Sequence, residues 1–146
     1  MRIAIGSDHA GFPLKEKVAA YLREKGYDVD DYGTYSLDSV DYPVYGVKVG
    51  RAVTEGKADR GIVVCGTGIG ISIAANKVPG VRAANCTNEY MAKYTRLHND
   101  ANVLALGARV VGEGVAEEIV DIFLNTEFEG GRHARRIALM DHIDEL

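Results

Sequence analysis

The most constraining stretch of the chain is Arg60-Gly-Ile-Val-Val-Cys65-Gly66-Thr67-Gly68-Ile69-Gly70-Ile71-Ser72. Gly61 to Val64 is an apolar run whose β-branched residues suit a strand buried on both faces. It stops at Cys65 and gives way to glycines at every second position, Gly66, Gly68 and Gly70. Beyond them Ile71, Ala74, Ala75 and Val78 recur at helical spacing. A buried strand that feeds a helix through a glycine turn points to a parallel sheet with helices packed on it. The same order gathers backbone N–H groups around one point at the positive end of a helix dipole, where an anionic group can sit. Cys65 would lie at the rim of that cradle, the setting in which cysteines become reactive.

The rest of the chain repeats the alternation. Arg2 to Ser7 reads as a strand ending in Asp8-His9-Ala10-Gly11. Pro13 then opens a helix whose stripe is Leu14, Val18, Tyr21 and Leu22. Tyr27 to Tyr32 is a more polar strand, suited to a sheet edge. The loop from Gly33 to Tyr42 leads to a helix over 43–55. After the turn signal Pro79-Gly80, Val81 to Cys86 is a fourth strand. Thr87 or Asn88 can cap the next helix, which carries Tyr90, Met91, Tyr94 and Leu97 and gives out near His98-Asn99-Asp100. Asn102 to Leu106 is a fifth strand, followed by Gly107-Ala108-Arg109 and a strongly periodic helix over 115–124. A last helix follows Gly130-Gly131, with Arg132 and Arg136 on one face. Five strands separated by helices, with no linker or repeat, predict one α/β domain over 1–146 with a mostly parallel sheet. In such sheets ligands bind beyond the carboxyl ends of the strands, where Asp8-His9, Cys65 to Gly70 and Gly107 to Arg109 fall.

Composition narrows the functional classes. No apolar run approaches the roughly 20 residues that span a bilayer, and Met1 leads directly into a strand pattern, which leaves no room for a signal peptide. Two cysteines without CxxC spacing give no sign of an oxidising compartment, so a cytoplasmic address is expected. A formal net charge of −4 argues against general nucleic-acid binding. Against that balance, Arg132, His133, Arg135 and Arg136 cluster near the C-terminus, which suits a small anion or simply a solvated helix face.

Each chemical candidate has a plain structural alternative. The glycine loop lacks the dinucleotide fingerprint, which would need glycine at Ile71, and it lacks the Gly-Lys-Ser/Thr of a P-loop. It is either an anion cradle or a tight strand-to-helix turn. Cys65 is a thiolate base or an inert small hydrophobe, and Cys86 reads as structural. Thr67 is a turn residue or a hydroxyl aimed at a developing oxyanion. His98 either complements a helix C-terminus or does chemistry, and Asp8-His9 either caps a helix or binds substrate. The four histidines, His9, His98, His133 and His142, show no metal-site spacing, so no metal is expected. Without a G-x-S-x-G elbow a serine hydrolase has no support. Thiol, oxyanion cradle, histidines and arginines together suit proton abstraction next to a carbonyl on a phosphorylated small molecule.

The segments Gly6 to Phe12 and Cys65 to Lys77, with the pair His98-Asn99, closely resemble the ribose-5-phosphate isomerase B family. That family belongs to a wider sugar-phosphate isomerase group that includes allose-6-phosphate and galactose-6-phosphate isomerases. The resemblance covers essentially the whole chain and implies a three-layer α/β/α sandwich with a five-stranded, Rossmann-like sheet. It implies interconversion of D-ribose 5-phosphate and D-ribulose 5-phosphate through an enediolate, without metal or organic cofactor. Cys65 would match the base, since Ile71 stands where one branch carries a glutamate. Thr67 with the amides of Gly66, Gly68, Ile69 and Gly70 would match the oxyanion cradle. His98 would open the furanose ring, and Asp8 and Asn99 would hold sugar hydroxyls. His9, Arg109, Arg132 and Arg136 resemble the phosphate-binding set, and Tyr42 an aromatic near the substrate. The family also implies a homodimer or homotetramer with sites shared between subunits. A six-carbon sugar phosphate and a non-catalytic phosphosugar-binding module are the competing readings.

Overall fold

The computed structural model describes residues 1–146. Five strands, β1 (Arg2–Ser7), β2 (Asp28–Asp31), β3 (Arg60–Cys65), β4 (Ala83–Asn85) and β5 (Val103–Gly107), form one sheet in the order β2-β1-β3-β5-β4. All the pairings are parallel. The helices are α1 (Phe12–Glu24), α2 (Tyr42–Thr54), α3 (Ile69–Asn76), α4 (Glu89–Asn99), α5 (Glu113–Asn125) and α6 (Arg132–Asp141). No helix is long and apolar enough to cross a membrane.

The period of two along each central strand sorts the core into two halves. Ile3, Ile5, Ile62, Val64, Leu104 and Leu106 face α1, α4 and α5, where they meet Leu22, Ala92, Ile119 and Phe123. Ala4, Val63, Cys65, Val103 and Ala105 face α2 and α3, against Val49, Ala52, Ile71 and Ala75. The smaller side chains on the second face let α2 and α3 approach closely, and Gly46 of α2 lies against the backbone of Ile71. This is the expected three-layer α/β/α sandwich, with α6 packed outside on α4.

Two details sharpen the sequence reading. Of the two possible caps for α4, Asn88 does the work: its Oδ1 accepts the Met91 N–H at 2.9 Å. The fourth strand is shorter than 81–86, because the Val81 amide closes a turn onto Val78 and the Arg82 amide donates to the Asn102 side chain. The strand order places a topological switch between β1 and β3. The connection from β1 runs to β2 on one side and that from β3 runs to β4 on the other, opening a crevice at the carboxyl ends of the two strands.

Candidate active site

Asp8 follows β1 and Cys65 ends β3, so the switch-point crevice brings them side by side; the Asp8 amide donates to the Val64 carbonyl at 3.2 Å. Asp8 Oδ1 accepts the Gly11 N–H at 2.9 Å, so the residue does shape the turn into α1. That bond uses one carboxylate oxygen and leaves the other without a partner in the chain. Gly11 in turn lies on the backbone of Val64, where any Cβ would collide.

The glycine loop is a cradle in the physical sense. The amides of Gly66, Thr67, Gly70 and Ile71 donate to no group within the chain. Those of Gly68 and Ile69 are engaged: Gly68 N–H points at Cys65 Sγ at 3.1 Å, and Ile69 N–H donates to Thr67 Oγ1 at 3.1 Å. An N–H aimed at the sulfur is the partner a thiolate requires. Gly68 takes a positive φ of 79° to make this bond, a conformation that favours glycine. Cys65 is buried, whereas Thr67 and Ile69 are exposed at the lip.

Three further side chains border the loop. Arg109 lies over Gly66, where a methyl group added to the glycine would stand 3.3 Å from its Nη1. The Arg109 amide also donates to the Gly66 carbonyl, tying the turn after β5 to the loop after β3. The Tyr42 ring covers Gly70, and a methyl group there would sit 2.8 Å from the ring. His9 Nδ1 accepts the Val40 N–H at 3.1 Å, which fixes Nε2 as the nitrogen that carries the proton and can donate outward. Asp8, His9, Tyr42, Cys65 to Gly70 and Arg109 thus form one cluster.

His98, Asn99, Arg132 and Arg136 lie elsewhere. Helix α4 starts beside the carboxyl end of β4 and runs back across the sheet for about 16 Å, at 1.5 Å per residue. Its last turn therefore reaches the amino end of β4, where the Asn99 carbonyl accepts from Arg82 Nε at 3.1 Å. His98 stacks flat on His133 of α6, with ring centroids 4.0 Å apart and planes 11° apart. Glu129 Oε2 is 3.6 Å from His98 Nε2. Burial, the neighbouring His98 and the Arg132 charge all push the His133 pKa below the ordinary histidine value. Within one chain the thiol and His98 therefore lie in two separate clusters.

Sequence reasoning passed over three participants. Asn85, at the end of β4, donates from Nδ2 to the Thr67 carbonyl at 3.3 Å and braces the loop from beneath. Lys15 is fully buried and binds Asp31 at 2.7 Å and the Thr34 carbonyl at 2.7 Å, pinning the start of the loop that delivers Val40 to His9. Its place in the apolar register of α1, one residue after Leu14, is the only hint the sequence offers. The pairing of His133 and Glu129 with His98 crosses 31 to 35 positions of sequence and leaves no local signal. Cys86 is buried, and burial pushes its thiol up to about 12, in keeping with a structural role.

The model of the ribose/galactose isomerase family matches residues 3–140. The chain belongs to the ribose/galactose isomerase family. Ribose-5-phosphate isomerase B of Escherichia coli is 50% identical over 144 residues, spanning 99% of this chain and 97% of its own length. Among solved structures, Clostridium thermocellum ribose-5-phosphate isomerase B is 59% identical, with a TM-score of 0.98 and coverage of 99% and 98%. The Thermotoga maritima ribose 5-phosphate isomerase is 55% identical, with a TM-score of 0.95 and coverage of 96% and 97%. Membership of this isomerase family fits a cradle of free amides beside a thiol.

Proposed function

We propose that the chain interconverts D-ribose 5-phosphate and D-ribulose 5-phosphate through an enediolate. The observation that carries this reading is the set of unpartnered amides at Gly66, Thr67, Gly70 and Ile71 around Cys65 Sγ. Cys65, as thiolate, removes the proton from C2 of the open-chain aldose, and the electron pair moves through C1 onto the carbonyl oxygen. The free amides and Thr67 hold the developing oxyanion. A proton passes between the two oxygens, and the Cys65 thiol returns its proton to C1, giving the ketose. Asp8, and Asn99 supplied by a second copy of the chain, hold sugar hydroxyls, and Tyr42 flanks the substrate. His9 Nε2–H and Arg109 bind the phosphate from the thiol side.

Ring opening by His98, and the remaining phosphate contacts from Arg132 and Arg136, come from a second copy of the chain. The separation of the two clusters supports this assembly. So do the exposed apolar residues Ile69 and Ile73 on α3, Tyr90 and Met91 on α4 and Met140 on α6. Burying such a surface between copies is favourable at about 25 cal/mol per Å². A six-carbon substrate is the second reading, favoured by the galactose isomerases within the same family.

The deciding experiment follows ribose 5-phosphate in deuterated water, without added metal, by NMR. Ketose formation with deuterium entering from solvent is the expected result. Turnover of allose or galactose 6-phosphate alone would move the substrate to the six-carbon class. Binding without turnover of any sugar phosphate would leave a phosphosugar-binding module.

A further inference from the structure

We propose that His98, Glu129 and His133 form a binding site for one transition-metal dication of the zinc class, built within a single chain. Its occupation withdraws His98 from ring opening. The metal site rests on geometry alone, and only the inhibitory consequence rests on the isomerase reading above.

One ligand atom from each of the three side chains lies within 4.8 Å of the other two. Zinc bonds of about 2.0–2.1 Å in tetrahedral geometry need ligand atoms roughly 3.3 Å apart, so the cluster must contract before it closes. The structure shows which groups can move. His133 is 5% exposed and is the fixed anchor. Its Nε2 is buried with no hydrogen-bond partner, the kind of orphaned polar atom that calls for a ligand. His98 makes no hydrogen bond through either ring nitrogen, so it can tilt out of its stack on His133, as sharing an ion requires. Glu129 is exposed and free to swing, while its backbone N–H, bound to the Leu97 carbonyl at 3.1 Å, holds its loop against α4. The backbones that bear the three ligands are thus in place, and only side-chain torsions remain.

The electrostatics select the ion. Glu129 supplies the single negative charge, and the carboxyl end of α4 adds the favourable end of its dipole. Arg132 and Arg136, with the amino end of α6, oppose a cation. Hard dications that depend on several charged oxygens have too little to bind here. Ions that form directional bonds to imidazole keep their advantage, and two histidines with a carboxylate leave a fourth position open for water. Histidine spacing in the sequence excludes none of this, because α4, α6 and the turn before α6 meet only in the fold.

The test titrates Zn²⁺ into the full chain carrying Cys65→Ala, which removes the competing thiol of the cradle, and measures binding by calorimetry. Co²⁺ in the same protein reports the ligands by its visible spectrum. One ion per chain, d–d bands without a thiolate charge-transfer band, and binding weakened at least about tenfold by Glu129→Gln and by His133→Gln are expected; loss of even an outer-shell partner costs that much. In the unsubstituted protein the imidazole resonances of His98 and His133 should shift together on adding Zn²⁺, a reading that does not depend on any variant folding. The same ion should inhibit isomerisation, and EDTA should restore it. Absence of Zn²⁺ binding, binding unchanged in both variants, or shifts confined to His9 or His142 would overturn the site. Binding at the site in a protein that turns over no sugar phosphate would keep the metal site and refute the isomerase. Binding there with full isomerase activity would refute the inhibitory consequence.

Discussion

Gly68 is the residue through which the glycine loop can be tested most sharply. Its amide points at Cys65 Sγ, its φ is 79°, and its open side faces Asn85 Oδ1 and the carbonyl carbon of Leu106, the latter only 2.9 Å from an added Cβ. Gly68→Ala places a side chain in the left-handed region, at about 1–2 kcal/mol. The new methyl also displaces Asn85 from the Thr67 carbonyl, losing a hydrogen bond worth about 0.5–1.5 kcal/mol. Together these destabilise the chain by about 1.5–3.5 kcal/mol. For a chain of this size that lowers Tm by about 3–14 °C, read by calorimetry at fixed protein concentration. Turnover should fall as well, because any relief of the clash moves the amide off the sulfur. Asn85→Gly removes one of the two obstructing groups, so the double variant should be more stable than the sum of the single effects predicts. An unchanged Tm for Gly68→Ala, or strict additivity with Asn85→Gly, would refute the account of the loop as braced from beneath by Asn85.

Other perturbations separate the roles. Cys65→Ala should lower kcat by roughly 10²–10⁴-fold, the range for a lost general base, and abolish deuterium uptake at C1; near-normal turnover would remove the thiol from the reaction. Arg136→Ala should raise KM for the phosphorylated sugar by about ten- to a hundredfold, from the 1.5–3 kcal/mol of one charged hydrogen bond, and unchanged steady-state kinetics would exclude it from the site. Burial holds the His133 pKa low in the folded chain, so the unfolded chain binds more protons there. That contribution is present above the ordinary histidine value and is lost as pH falls below it. The unsubstituted protein should therefore lose stability on acidification through that window, and His133→Gln should flatten the loss; parallel pH profiles would show that His133 charges freely in the fold.

The alternation of strands and helices was legible because each element buries one face, and that burial writes a period of two or 3.6 into neighbouring residues. The strand over Gly61 to Val64, the stripe of α1 and the polar edge strand at Tyr27 to Tyr32 all follow from such local periods. The glycine loop was legible for the same reason, since the residues that shape it are adjacent in the chain. Tyr42 entered through resemblance alone and Arg109 first through its place beyond the fifth strand, and the fold seats them on Gly70 and Gly66. The shortened β4 escaped the sequence reading because the Asn102 side chain, 20 positions away, captures the Arg82 amide.

The sequence by itself determined the class of fold, through the local periods of its successive strands and helices, and the place of the thiol, which is set by residues within one strand–turn–helix unit. Tertiary structure alone decided which loop amides stay free, that Lys15 and Asn85 brace the cluster, and that His98 stands with His133 and Glu129 rather than beside Cys65. The reason is geometric. Strand order and helix direction fix which chain ends meet, and a helix that runs back across the sheet carries its last turn to the far end, whatever chemistry that turn bears.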